Sequence, residues 1–112
     1  MNEQGGPNWV DNFVDSPIIV NSTGKEYYKQ PMYYVISHFS KLLKPDSVRI
    51  KTVEEGNDKI QTVAFVTPQN ATVLIALNKN DKDYDISVVD TKSEIKFRNN
   101  VPAHSIQSYV WY

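Results

Sequence analysis

The first residues whose types could do chemistry lie in GGPNWVDNFVDSPIIV, residues 5–20, where aromatic, asparagine and aspartate residues follow a Gly-Gly-Pro turn. An aromatic side chain such as Trp9 can stack on the apolar face of a sugar ring. An asparagine such as Asn12 can both donate hydrogen bonds to hydroxyl groups and accept them. This pairing is the one that a carbohydrate site uses. The alternative interpretation is that Trp9, Phe13 and Val14 form a small core under a turn.

Carboxyl groups that could cleave a glycosidic bond are harder to find. Retaining glycosidases use two of them about 5 to 5.5 Å apart. Glu54 and Glu55 are neighbours, and neighbouring side chains of a strand point to opposite faces. Beside Gly56 they predict a solvated turn instead. We therefore expect no complete catalytic constellation in this chain.

Metal and cofactor sites are not predicted either. Asp81, Asp83 and Asp85 alternate with lysines, but the segment lacks the glycine and the closing glutamate of a calcium loop. It predicts a charged hairpin turn. His38 and His104 are too far apart in the sequence to suggest metal-ligand spacing. We therefore expect neither a metal nor a cofactor.

Composition excludes several classes of protein. The chain has 112 residues with 12 basic and 13 acidic side chains, so it fits one domain and lacks the positive surface of a nucleic-acid-binding protein. It has no cysteine, which rules out disulfides, thiolate zinc sites and cysteine nucleophiles. No apolar run approaches the roughly 18 residues of a membrane span, and no signal peptide is evident. We expect a cytosolic protein or a chain cut from a longer one.

Two tripeptides match the acceptor pattern for N-glycosylation. Asn21 begins Asn-Ser-Thr and Asn70 begins Asn-Ala-Thr, each within a stretch rich in turn residues. They are a weak indication of an extracellular or lumenal protein. Two ordinary surface loops would give the same pattern.

One helix is predicted at residues 31–44. Pro31 suits the first helical position, and Pro45 ends the pattern. Apolar residues recur between them at intervals of three and four: Met32, Val35, Ile36, Phe39, Leu42 and Leu43. The opposite side carries Tyr33 and Tyr34, so we expect this helix to be covered on more than one flank.

From residue 48 onward the sequence has the alternating or short apolar runs that are typical of strands. These runs are VRIKTV, IQTVAFVT, ATVLIALN, YDISVV, SEIKFR and SIQSYVWY. Six strands at roughly ten-residue spacing predict a β-sandwich or a small barrel. Residues 73–77 are apolar at consecutive positions, which predicts a central strand buried on both faces. We expect a further layer to cover the sheet.

Longer stretches resemble one known family. GGPNWVDNFVDSPIIV, YYKQPMYYVISHFSKLLKPDSVRI and the final HSIQSYVWY closely resemble the C-terminal part of the glucosylceramidases, the acid β-glucosidases among the glycoside hydrolases. The similarity extends from Gly5 through the whole chain and is looser in the middle strands. It implies hydrolysis of glucosylceramide or another β-glucoside by a retaining two-carboxylate mechanism.

The resemblance also implies an architecture that is mainly β with one α-helix. Residues 1–45 would be the final loop and helix of a (β/α)8 catalytic barrel, with the loop at the C-terminal face where barrel enzymes place their sites. Residues 46–112 would be the C-terminal strands of an antiparallel β-sandwich. The rest of the barrel and the N-terminal sandwich strands would be partners of this chain.

The same resemblance implies a substrate-binding set of Asn12, Trp9 and Phe13. Asn12 matches the asparagine beside the glucose ring, and Trp9 and Phe13 match the same pocket-rim loop. The family's acid/base and nucleophilic glutamates lie on earlier barrel strands, so the chain should be inactive alone. Asp11 differs from the basic residue of relatives, so the charge of the rim is not carried over.

Lysosomal residence or secretion is a further implication, with an activator protein and a membrane surface as partners of the parent enzyme. Two other functions stay open at this point. One is a free-standing β-sandwich module that binds carbohydrate or protein through Trp9, Asn12 and exposed tyrosines. The other is a structural interaction domain.

Overall fold

A computed structural model describes residues 1–7, 10, 12–56 and 59–112. Within these ranges the chain forms one helix and eight strands. The chain divides into two compact units, residues 1–40 and residues 41–112. The expectation of a mainly β chain with one helix is confirmed.

The first unit contains a β-hairpin where the sequence predicted a loop. Strand β1, Ile18–Asn21, pairs antiparallel with strand β2, Glu26–Lys29. The Asn21 side chain accepts a hydrogen bond of 2.8 Å from the Gly24 N–H, and Lys25 takes a left-handed φ of 53°. The Asn21 side chain closes the turn, and this lets β1 pair with β2. Each of the two strands is too short for its sequence alone to predict it.

Helix α1 follows as Pro31–Ser40. It ends four residues before the predicted end at residue 44. The chain turns instead at Lys44, whose carbonyl accepts bonds from the Ser47 N–H and Oγ at 3.1 and 2.7 Å. Pro45 has no N–H and disfavours a helical conformation at Lys44, so the helix ends before the apolar pattern does.

The second unit is built from two antiparallel sheets. Its strands are β3 Val48–Ile50, β4 Ile60–Val66, β5 Thr72–Asn78, β6 Tyr84–Val89, β7 Lys96–Val101 and β8 Ser105–Trp111. Four of them form a sheet in the order β3-β4-β5-β8, and β6 and β7 form a hairpin. Phe97 on β7 packs against Tyr109 and Trp111 on β8, with ring centroids 5.1 and 5.6 Å apart. The hairpin thus forms a second layer over β8.

Strand β5 is central and buried on both faces, which confirms the prediction from its consecutive apolar residues. It lies between β4 and β8, and Val73, Leu74, Ile75 and Ala76 are each at most 5% exposed. The main error lies in β7, which begins at Lys96 rather than at residue 93. Asp90 accepts hydrogen bonds from the Lys92 and Ser93 N–H groups, so these residues form a turn instead of a strand.

Candidate functional site

The loop that carries Asn12 is held by a compact turn at residues 2–6. The Asn2 side chain accepts hydrogen bonds from the Gly6 and Gln4 N–H groups at 2.8 and 3.1 Å. Gly5 has a φ of 76°, and a Cβ at this position would lie 2.9 Å from the Val14 carbonyl oxygen. Only glycine fits this contact between the two limbs of the loop. Close backbone packing therefore positions the segment that contains Asn12 and Phe13.

The candidate side chains of this loop are exposed. Asn12 is exposed, and Phe13 and Val14 are 65% and 46% exposed. The alternative that Phe13 and Val14 form a small core is therefore wrong for this chain. Trp9 lies outside the described residues, as does Asp11. The loop presents an amide and an aromatic ring at its surface, which is chemistry that suits the hydroxyl groups and the apolar face of a sugar.

A shallow depression of about 470 Å³ lies between this loop and the hairpin. Its walls are Glu3, Gln4, Gly5, Phe13, Val14, Asp15, Ile19, Tyr28 and Gln30. A second depression, of about 460 Å³, is lined by Ile18, Val20, Asn21, Ser22, Lys25, Glu26 and Tyr27. The structure thus brings Phe13 to a concave surface, whereas Asn12 is not among the lining residues of either depression.

Sequence reasoning missed a polar cluster on the hairpin. The Tyr28 hydroxyl donates to Glu26 Oε1 at 2.5 Å and accepts a longer bond of 3.5 Å from Asn21 Nδ2. The hydrogen bond to Glu26 raises the pKa of Tyr28. The cluster depends on the pairing of Asn21 with Glu26 across the hairpin, and recognising the NSTG turn would have been the signal for it.

The acidic residues of the β5–β6 region do not converge on a common point. Asp81 pairs with His104 at 2.9 Å, Asp83 accepts the Ala103 N–H at 2.9 Å, and Asp85 pairs with Arg98 at 2.7 Å. In the part of the chain that the structure describes, no group of three His, Cys, Asp or Glu residues could hold a metal ion. The segment is charged, but β5 and β6 belong to different sheets, so it is a connection between sheets and the prediction of a hairpin turn is wrong.

Two described carboxyl groups have a shifted pKa, and both shifts are downward. Asn100 and then Arg98 donate hydrogen bonds that lower the pKa of Asp85. Trp111 Nε1–H donates to Asp90 at 2.8 Å, and with Ser93 and Lys92 it lowers the pKa of Asp90 to about 2. A glycosidase acid needs a raised pKa, so neither group is suited to that role.

The Asp90 contact predicts how stability depends on pH. Because the folded pKa of about 2 lies below the usual 3.8, ionised Asp90 stabilises the fold above pH 4, and this contribution is lost as the pH falls towards 2. Trp111→Phe keeps the ring but removes the N–H donor. We expect urea unfolding to show that this variant is less stable at pH 7, with a smaller decline below pH 4 than the wild-type chain. Parallel pH curves for the two proteins would contradict the assignment.

The two glycosylation candidates lie at turns. Asn21 ends β1, and Asn70 lies in the turn between β4 and β5. In the described ranges, no helix is long and apolar enough to cross a membrane.

Two family models match most of the chain. The model described as "Glycosyl hydrolase family 30 beta sandwich domain" matches residues 46–109. The model described as "Glycosyl hydrolase family 30 TIM-barrel domain" matches residues 1–43. The two matches meet near the boundary between the two compact units.

Curated relatives match over nearly the whole chain. "Lysosomal acid glucosylceramidase" of Mus musculus is 40% identical over 112 residues, which is 99% of this chain and 21% of that protein. "Putative glucosylceramidase 3" of Caenorhabditis elegans is also 40% identical, over 111 residues. The chain spans about one fifth of the length of these relatives.

A solved structure gives the same fold. "The crystal structure of SrfJ from salmonella typhimurium" superposes with a TM-score of 0.92 at 22% identity, covering 99% of this chain and 24% of that chain. At this identity the similarity concerns the fold alone.

Proposed function

Because the chain belongs to glycosyl hydrolase family 30, we propose that it is the C-terminal part of a glucosylceramidase, an enzyme that hydrolyses the β-glucosidic bond of glucosylceramide with retention of configuration. The observation that carries the proposal is the 40% identity to the mouse enzyme across 99% of the chain. In this reading residues 1–45 are the final loop and helix of the catalytic barrel, and residues 46–112 are sandwich strands.

The proposed contribution to catalysis is one wall of the glucose pocket. Asn12 would exchange hydrogen bonds with sugar hydroxyls, and Trp9 and Phe13 would form the rim. The exposure of Asn12 and Phe13 supports this role, since a side chain must be accessible to reach a ligand. Gly5 supports it indirectly, because its close contact with Val14 fixes the loop.

The reacting carboxyl groups would come from outside this chain. In the proposed mechanism one glutamic acid protonates the departing oxygen, and a second glutamate forms the glucosyl-enzyme intermediate. The lowered pKa values of Asp85 and Asp90 support this division, because hydrogen-bonded carboxylates that stay ionised are poor proton donors.

The apolar surface of helix α1 is evidence that the rest of the barrel is a partner of this chain. The structure assigns it no buried residue, although its sequence is strongly apolar. Its exposed large side chains are Met32, Tyr34, Val35, Ile36 and Phe39. A soluble helix that carries this much apolar surface needs a covering layer, and neighbouring barrel elements would supply it.

The partly uncovered face of the four-stranded sheet is evidence for a second partner, namely further sandwich strands. One face of the sheet runs across four cross-strand neighbours, Val48, Val66, Thr72 and Trp111. The β6–β7 hairpin covers this face at Trp111, through Phe97. At the other end Val48 and Ile50 are 64% and 36% exposed. N-terminal strands of the parent enzyme would complete the second layer over β3.

The cellular setting is part of the proposal. The mouse relative is a lysosomal enzyme by name, which supports a lysosomal or secreted glycoprotein that acts in sphingolipid metabolism. Its substrate class would bring the parent enzyme to a membrane surface, with an activator protein presenting the lipid.

The proposal is tested with the 112-residue chain alone. We expect no turnover of a fluorogenic β-glucoside, since the two glutamates are missing, and self-association in sedimentation experiments, since α1 is uncovered. Ile36→Glu should reduce the self-association, whereas Lys41→Glu, a charge change just beyond the helix, should not. Hydrolysis by the chain alone would refute the proposal.

A free-standing sugar-binding module is the other candidate, and the exposed Phe13 and Asn12 favour it. Such a module would melt cooperatively as a monomer and would bind glucosides without any other chain. Titration of the chain with a soluble β-glucoside separates the two, because a single wall of a pocket should give no measurable binding.

A further inference from the structure

The two N-glycosylation tripeptides have different surroundings in the folded chain. Both have the sequence Asn-X-Thr, so sequence alone does not distinguish them. Asn21 is the last residue of β1, where the turn to β2 begins, and Asn70 lies in the turn between β4 and β5. The two side-chain amide groups differ in the hydrogen bonds that they make.

The amide of Asn21 is used by the fold. Its Oδ1 accepts the Gly24 N–H at 2.8 Å, and its Nδ2 donates to the Tyr28 hydroxyl at 3.5 Å. The hairpin is tight at this point, since a Cβ on Gly24 would lie 3.0 Å from Nδ2 and 3.1 Å from Glu26 Oε1. Nδ2 is the atom to which a glycan would be attached. A sugar there would have to enter the space between Gly24, Glu26 and Tyr28.

The turn at Asn70 is held by other groups. The Asn70 N–H donates to the Thr67 carbonyl at 2.9 Å, and the Thr67 N–H donates to the Ala71 carbonyl at 2.8 Å. The Thr67 hydroxyl accepts the Ala71 N–H at 3.1 Å. Asn70 is exposed and takes a φ of 64°. Its side-chain amide is therefore accessible, and a substituent on it disturbs none of these bonds.

We propose that Asn70 carries an N-linked glycan and that Asn21 in the folded, exported protein does not. The inference rests on the proposed lysosomal or secreted setting, because the modification requires passage through the secretory route. The donor is an oligosaccharide linked to a polyprenyl pyrophosphate. Asn70 Nδ2 forms a bond to the C1 atom of the first sugar, the C1–O bond to the pyrophosphate breaks, and the leaving group takes the electron pair while the amide loses one proton to a base.

The experiment uses the enzyme that contains the complete barrel, fused to a secretion leader and produced in insect cells. Secreted protein is treated with an amidase that removes N-glycans in heavy-oxygen water, which marks each formerly glycosylated asparagine as labelled aspartate. Peptide mass spectrometry then reads each site separately. We expect the label at Asn70 in most molecules and no label at Asn21.

Matched variants make the result independent of folding defects. Asn70→Asp tolerates a left-handed φ but offers no acceptor amide, and it should lose the mass of one glycan. Asn21→Asp keeps the oxygen that accepts the Gly24 N–H and should leave the glycan mass unchanged. An unlabelled Asn70, or comparable label at Asn21 in secreted protein, overturns the inference.

Failure of this inference is distinguishable from failure of the proposed function. Glucoside hydrolysis by the complete enzyme together with an unmodified Asn70 would overturn only the glycan assignment. Labelled Asn70 in a complete enzyme that lacks hydrolysis would overturn only the proposed function.

Discussion

Replacing Asn78 by alanine should lower the free energy of unfolding of the sandwich unit by about 4 kcal/mol, the cost of leaving several buried polar groups without partners. Asn78 is fully buried. Its Nδ2 donates to the carbonyls of Lys82, Val101 and Pro102 at 2.8 to 2.9 Å, and its Oδ1 accepts the Asn80 N–H at 3.0 Å. One amide thus ties the end of β5 to the loops before β6 and β8. Domains of this size are stable by only about 5 to 15 kcal/mol, so the variant should lose a large fraction of its stability.

Urea titration followed by tryptophan fluorescence in a Trp9→Phe background provides the measurement, because Trp111, the remaining tryptophan, lies within the sandwich unit. Asn78→Asp preserves the size and the accepting oxygen while removing the donors, so it should also be strongly destabilised. Asn100→Ala is the surface control. Asn100 is exposed and donates to Asp85 at 3.0 Å, so its loss should cost less than about 1 kcal/mol. Equal midpoints for the Asn78 and Asn100 variants would show that the buried network is not important.

Replacing Asn12 by alanine in the enzyme that contains the complete barrel should reduce kcat/KM for a β-glucoside by about 100-fold, which corresponds to about 2.7 kcal/mol of transition-state stabilisation. The physical reason is that hydrogen bonds to sugar hydroxyls strengthen as positive charge develops on the ring. We therefore expect kcat to fall as well as KM to rise. Phe13→Ala should mainly raise KM, because an aromatic rim contributes binding that is similar in the ground state and the transition state.

Two further variants complete the experiment on Asn12. They are Asn12→Asp, at the same position, and Asn100→Ala, as a control elsewhere. The aspartate keeps the accepting oxygen and loses the donor, so it separates the effect of accepting a hydrogen bond from the effect of donating one. Asn100→Ala lies in β7, on the sandwich unit, and should leave kcat/KM within twofold of the wild type. Unfolding curves of the Asn12 variants must match the wild type for the kinetic effect to be assigned to substrate. A change in kcat/KM below threefold for Asn12→Ala would remove this residue from the proposed pocket.

Regular elements with a strong local pattern were predicted well. Residues 73–77 are apolar at every position, and residues 73–76 form the buried centre of β5. The alternating run YDISVV became β6 with the predicted bounds. The start of helix α1 at Pro31 was also predicted. In these segments the burial pattern and the backbone preference predict the same element. Tertiary contacts therefore did not change it.

Elements that depend on a turn were predicted less well. The sequence predicts a loop at the β1–β2 hairpin because each strand has only four residues, and the side-chain bond between Asn21 and Gly24 closes the turn that lets them pair. The start of β7 was misplaced because Asp90 closes a turn over residues that look like a strand. Side-chain hydrogen bonds close both turns, and the periodicity of the sequence does not show them.

The family was readable from the sequence because long stretches that resemble one family are specific, and the matching barrel and sandwich models confirm it. Sequence alone also determined the helix position, the central strand and the lack of cysteine chemistry. Only the tertiary structure decided that Phe13 is exposed rather than buried, that Asp81, Asp83 and Asp85 have separate partners, and that the two glycosylation tripeptides differ. Exposure and hydrogen bonding join residues that are far apart in the chain, so they arise only when the fold brings those residues together.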